Sequence, residues 1–322
     1  MPKVLAFIVL LLAAISLQGC ARVFEKSSKE VTEAYYETEP AFSHKWIKVV
    51  LNNSFIEKYK NRASMAIDMT VDEANKAPKP AFTDGDFHIA GRSPEVGLPV
   101  VAEITNSAHE AKAIRLVHKL EKKNITVPVA GVWRIWFEHP GGADETQGAA
   151  LKMLRTENPD HVFEIHPVTS FGQIDTRDSM HPVKNYMPGS AGLAFKTYRD
   201  LKIKIIPGKK TTTIMAHRAP FNDVEFVMEI KRKETAPDGR FMISDALNLK
   251  GNLLASNIRM VFMKGTPPEQ IARELKPGAR LHVFAIPRIN FDALCEMAKT
   301  PGPEERALPY EMIIIGVYED TK

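Results

Sequence analysis

The sequence predicts a mainly β protein with a few helices, folded as two small β-barrels in tandem. Three observations predict it. Five strand-like runs with one helix after the third occupy 63–168, the same order recurs over 224–318, and an Asp-Gly-x-Phe-x-Ile match links the two at a spacing of 154 residues. A length of 322 residues fits two domains, and 44% hydrophobic with 25% charged residues is an ordinary globular balance that excludes fibrous and wholly disordered classes.

The first strand runs from Ala63 to Val71, where Met65, Ile67 and Met69 alternate onto one face. Asp84-Gly85 signals a turn, after which Phe87 and Ile89 alternate with Asp86 and His88. The loop Ser93-Pro94-Glu95-Val96-Gly97 leads into a strand from Leu98 to Ile104. Residues 106–121 read as a helix with Asn106 or Ser107 as N-cap and an apolar stripe of Ala113, Ile114, Leu116, Val117 and Leu120. Val127 to Phe137 is a strand whose Gly131 marks a bulge, and His161 to Val168 is the last. Strand, strand, strand, helix, strand, strand is the order of an OB-fold, a five-stranded Greek-key barrel.

The second half repeats it with strands at Val224–Lys231, from Gly239 through Phe241 and Ile243, at Leu253–Met263, at Arg280–Pro287 and at Glu311–Tyr318, and with a helix at Pro268–Leu275. A cluster of Pro182, Pro188, Gly189 and Gly192 reads as the linker, so the expected domains are 44–185 and 195–322. Gly208-Lys209-Lys210 reads as a solvated hairpin loop, and His282 as an isolated histidine.

The N-terminus carries an address. Lys3 precedes an apolar run from Val4 to Ile15, too short for the ~20 apolar residues a spanning helix needs but sized for an export signal. Leu17-Gln18-Gly19-Cys20 follows and resembles the lipobox of bacterial lipoproteins. The resemblance implies removal of 1–19, acylation of Cys20 with palmitate among the chains, and a tether over 20–43. It also implies a place on the periplasmic side of a bacterial envelope, held by the lipid. Ala21 rather than Asp after the cysteine favours the outer membrane if the cell is Gram-negative. Cys295 is the only other cysteine, so no internal disulfide and no four-cysteine zinc site is possible once Cys20 is lipidated. A net charge of +4, from 43 basic and 39 acidic residues, argues against a nucleic-acid partner.

Chemistry, if any, lies in the first barrel. Asp86 and His88 share one strand face, Arg134 lies on another, and Glu164 and His166 on a third, with Glu103 between them. An OB barrel orders its strands 1-2-3-5-4, so Asp86, His88, Glu103, Glu164, His166 and Arg134 form one polar stripe across neighbouring strands. A network of ion pairs is the simpler reading of it. Divalent-metal binding with hydrolysis by an activated water, as in a nuclease, is the sharper one. Trp133, Trp136, Phe137 and Phe163 offer a third reading, stacking of bases or sugars on an OB face. No nucleophile elbow, phosphate-binding loop, dinucleotide fingerprint or zincin motif occurs, so catalytic residues are unassigned and no cofactor is expected.

Asp84-Gly85-Asp86-Phe87-His88, Ala102-Glu103-Ile104 and Glu164-Ile165-His166-Pro167-Val168 together resemble a set of uncharacterised bacterial OB-like domains over roughly 84–168. The resemblance implies a structural signature, with His166 and Pro167 closing the barrel, and no activity. The run from Gly131 to Gly141 departs from that family's Gly-Phe-x-Asp-x-x-His-Gly. The expectation that results is a membrane-anchored envelope lipoprotein that serves as a binding or assembly module, with its protein or small-molecule partner unidentified.

Overall fold

The structure, a computed structural model, describes residues 46–139 and 144–319; the signal, Cys20 and the tether lie outside these. It contains two closed five-stranded barrels and a third sheet assembled from strands outside them. Strand β1 (Ile47–Asn52) and helix α1 (Asn53–Tyr59) lead into the first barrel, formed by β2 (Met65–Ala74), β3 (Phe87–Arg92), β4 (Pro99–Ile104), β5 (Thr126–His139) and, beyond the short β6 (Glu145–Thr146), β7 (His161–Phe171). Helix α2 (Ala111–Leu120) sits between the third and fourth barrel strands. The ring runs β2-β3-β4-β7-β5 and back to β2, with β4 and β7 parallel and every other pair antiparallel.

After β8 (Ile174–Asp175), helix α3 (Ala191–Asp200) and the hairpin of β9 (Lys202–Pro207) with β10 (Thr211–Ala216), the pattern repeats. The second barrel uses β11 (Val224–Ala236), β12 (Gly239–Leu247), β13 (Leu253–Met263), β14 (Arg280–Ile289) and β16 (Tyr310–Val317), with helix α4 (Pro267–Glu274) after its third strand. Its ring order is β11-β12-β13-β16-β14, again closed and again with one parallel pair, β13 with β16. Helix α5 (Phe291–Lys299) and strand β15 (Glu305–Ala307) fill the connection from β14 to β16. The 1-2-3-5-4 order expected from the sequence holds in both barrels.

Inward-facing residues account for the closure. Met65, Ile67 and Met69 are buried with Phe87, Ile89, Ala102, Ile104, Ile135, Phe163 and Ile165 in the first barrel. Gly131 is required at the bend of β5: a Cβ there would lie 2.4 Å from the Pro167 carbonyl oxygen, and the strand register shifts on either side of it.

Four expectations need correction. The N-cap is neither Asn106 nor Ser107, because α2 begins at Ala111 after a 3-10 turn over Ser107–His109. The Asn106 amide instead donates to the carbonyls of Ser179 and His181, and the Ser107 hydroxyl donates to that of Gly85. The stretch read as linker contains α3, held by burial of Ala194, Phe195 and Tyr198. His282 is not isolated, since its Nε2 lies 2.7 Å from Glu225 Oε1 and its ring stacks on Tyr318. The sequence reading also leaves out a sheet of order β15-β9-β10-β1-β6, which draws strands from before, between and within the barrels.

The barrels meet through a reciprocal contact. Arg134 on β5 and Arg288 on β14 stand 154 residues apart and are both fully buried. Arg134 Nε donates to the Pro287 carbonyl at 2.8 Å, and Arg288 Nη1 donates to the Trp133 carbonyl at 2.9 Å. Each arginine also pairs with a glutamate on the fifth strand of its own barrel, Arg134 with Glu164 and Arg288 with Glu311. Trp133 lies between the Arg288 guanidinium, 3.7 Å from its ring centre, and the Phe291 ring stacked at 4.6 Å. Asp238, at the turn before β12, accepts from the backbone amides of Ala63 and Ser64 at 3.0 and 2.9 Å.

Removing one partner of a buried, hydrogen-bonded ion pair costs about 3–5 kcal/mol. Arg288→Met should therefore lower stability by that order, with the carbonyls of Trp133, Ala63 and Arg62 losing their donor. Urea unfolding midpoints check this; a variant whose midpoint matches the wild type contradicts it.

Candidate functional site

The polar stripe lies on the outer face of the first barrel. Alternation along β3, β4, β5 and β7 sends Phe87, Ile89, Ala102, Ile104, Ile135, Phe163 and Ile165 inward and leaves the polar residues outward. Register then aligns them. His88 stands opposite Glu103 across the β3–β4 pair, and Arg134 opposite Glu164 across the β5–β7 pair. Asp86 enters from the residue before β3. All six predicted residues come together, and none is more than 5% exposed.

Two arrangements share this face. In the first, the Arg134 guanidinium binds Glu164 through Nη1 and Glu138 through Nη2 at 3.3 Å, while His161 Nε2 lies 3.2 Å from Glu164 Oε1 and its Nδ1 2.7 Å from the Pro159 carbonyl. In the second, His166 stands between carboxylates: Nε2 is 3.4 Å from Asp86 Oδ2, and Nδ1 is 3.3 Å from Glu103 Oε2 and 3.6 Å from Glu164 Oε2. His88 Nε2 reaches Glu103 Oε2 at 3.4 Å and Lys79 Nζ at 2.8 Å, and Lys79 also pairs with Asp84.

Burial sets the charges. It pushes the Asp86 carboxyl well above the usual range, with His166 pulling the other way. Burial also acts to raise Glu103, but the His88 and His166 rings beside it prevail and hold it well below. Glu164 is likewise held low against burial by Arg134 and the histidines. Burial by itself lowers His166, yet Glu103, Glu164 and Asp86 push it up to about 10. At the solvent-facing end, burial raises Glu138 to about 7 and lowers His139 to about 4.

Sequence reasoning missed His161, Glu138 and Asp223. His161 opens β7 out of step with Glu164 and His166, so an alternation rule does not select it. Glu138 is Arg134's neighbour at four residues along β5, legible as spacing but not as a pair. Asp223 precedes β11 and receives the Tyr186 hydroxyl at 2.9 Å; burial raises it to about 7, with His166 opposing. The aromatics that would stack bases, Trp133, Trp136, Phe137 and Phe163, are buried in the core and present no ring face to a ligand.

Asp86, Glu103 and His166 are one set whose ligand atoms converge, and Glu103, His161 and Glu164 are another. Neither set lines the two depressions formed by the described residues: one of about 650 Å³ beside α2 is lined by residues such as His109, Lys112, Arg115 and Asp175, and one of about 320 Å³ by Arg92, Ser93 and Leu151. Comparison with known proteins adds no assignment, as no protein-family model matches the chain and no curated relative is found.

Glu138 gives a pH test. Its folded value near 7 lies above the unfolded 4.5, so its contribution to stability is complete below pH 4.5 and lost as pH rises towards 7. The wild type should therefore lose stability relative to Glu138→Gln across pH 4.5–7 and run parallel to it above. Urea midpoints that stay parallel throughout contradict the assignment.

Proposed function

We propose that the protein is a lipid-anchored envelope lipoprotein whose two-barrel body is a binding or assembly module. The observation that carries the second half of this reading is the sealing of the polar stripe. A hydrolase must bring substrate to its activated water, and here every stripe residue is buried, while the two depressions formed by the described residues are lined by others. The stripe is better suited to holding a rigid body together than to turning over a substrate. In this reading the buried ion pairs serve to fix geometry, since such pairs add little net stability.

The anchor half rests on the sequence Leu17-Gln18-Gly19-Cys20 behind a short apolar run. Each buried methylene of an acyl chain contributes about 0.8 kcal/mol, and stable attachment takes two chains or more. Residues 20–43 would then space the barrels from the membrane surface. A partner docks on the body from the periplasmic side in this scheme, and the near balance of charge leaves nucleic acid as a poor candidate.

Metabolic labelling with palmitate tests the anchor. The wild-type chain expressed in a bacterial host should carry label and sediment with membranes, while Cys20→Ser should lose both. Label retained on Cys20→Ser, or absent from the wild type, removes the anchor from the proposal.

A further inference from the structure

We propose that Asp86, Glu103 and His166 hold a structural divalent metal ion of the kind that accepts mixed imidazole and carboxylate ligands, such as zinc or manganese. The site stands whether or not Cys20 is acylated. It draws one ligand from the loop entering β3, one from β4 and one from β7. One donor atom from each lies within 4.8 Å of the others, and all three side chains are buried.

Contact lengths separate this set from an ordinary ion-pair network. His166 is fully buried, yet neither of its ring nitrogens makes a hydrogen bond among the described residues, and neither does Asp86 Oδ1. Leaving a buried polar atom unpaired costs about 1–3 kcal/mol, so an unpaired histidine between two carboxylates needs a reason. The 3.4 Å from Nε2 to Asp86 and the 3.3 Å from Nδ1 to Glu103 are long for hydrogen bonds, which cluster near ~2.9 Å. The two contacts use opposite ring nitrogens, but one donor atom from each side chain lies within 4.8 Å of the other two, so turning the imidazole places one nitrogen on an ion shared with both carboxylates.

The neighbouring set supplies the contrast. His161 and Glu164 share a bond of 3.2 Å, Arg134 covers the other Glu164 oxygen, and His161 Nδ1 meets the Pro159 carbonyl. That set is closed by protein atoms, and the Asp86 set is open. With all three ligands buried, the ion serves to tie β4 and β7 to the loop before β3.

The test uses the full chain purified in detergent and stripped of metal by chelation. Titration with Zn²⁺ and with Mn²⁺ should give one ion per chain for at least one of them, and a melting temperature that rises with free metal. Asp86→Asn and His166→Gln should each weaken that affinity at least about tenfold, whereas His161→Gln should keep the stoichiometry. Absence of stoichiometric binding with both ions, or binding equally tight in Asp86→Asn and His166→Gln, overturns the site. If those variants fail to fold, the wild type loaded with Co²⁺ decides by X-ray absorption. One imidazole among oxygen ligands supports the proposal; two or more imidazoles point to other histidines and overturn it.

Discussion

Arg134 and Arg288 hold each other's strand in place, and the rest of the body is arranged around that exchange. Each guanidinium reaches the carbonyl of the residue just before the other, so the fourth strands of the two barrels cannot separate without stranding two buried charges. The pattern is isologous: residue i of one half meets residue j of the other, and j meets i, as across a two-fold axis in a homodimer. Two similar barrels joined in one chain reproduce a symmetric interface without needing a second molecule. The surroundings are less symmetric than the clasp. On the second barrel Phe241, Val261, Phe284 and Ile313 form an apolar patch with Val132 and Val183, while the first barrel presents the polar stripe.

That asymmetry assigns the two halves different work. The second barrel contributes apolar area and two arginines, Arg288 and Arg259, that satisfy carbonyls of the turn before β2 while sharing Glu311. The first barrel concentrates its ionisable groups where water is excluded, so small differences in partner decide which of them carry charge. Glu103 stays ionised because imidazoles flank it, while Asp86, on the other side of His166, is driven towards its neutral form.

Much of the architecture was legible because barrel strands alternate with period two and the helix after the third strand interrupts them visibly. The Asp-Gly turns at 84–85 and 238–239 gave the repeat, and the repeat extends to Arg134 and Arg288, whose flanking residues differ too much for the match to stand out. The third sheet was not legible. Its β6 and β15 are two and three residues long, and its pair β1 with β10 joins segments that lie on either side of the first barrel in the chain. Helix α3 hid behind Pro188, Gly189 and Gly192, which read as linker although Phe195 and Tyr198 pack inward. The stripe could be assembled from alternation plus strand order alone. Its partners His161 and Asp223 could not, since one breaks the alternation and the other comes from outside the barrel.

The β1–β10 pairing also bears on the order of events when the chain is made. Ile47 pairs with Ala216 and Asn52 with Thr211, so the first of the described strands has no antiparallel partner until the whole first barrel has been completed. That barrel closes on local strands between Met65 and Phe171 and can form while β1 waits. During the wait β1 is an open edge with unpaired backbone groups, the kind of surface on which another chain can pair. A ribosome paused between Phe171 and Thr211 would prolong that exposure, and the hairpin of β9 and β10 ends it.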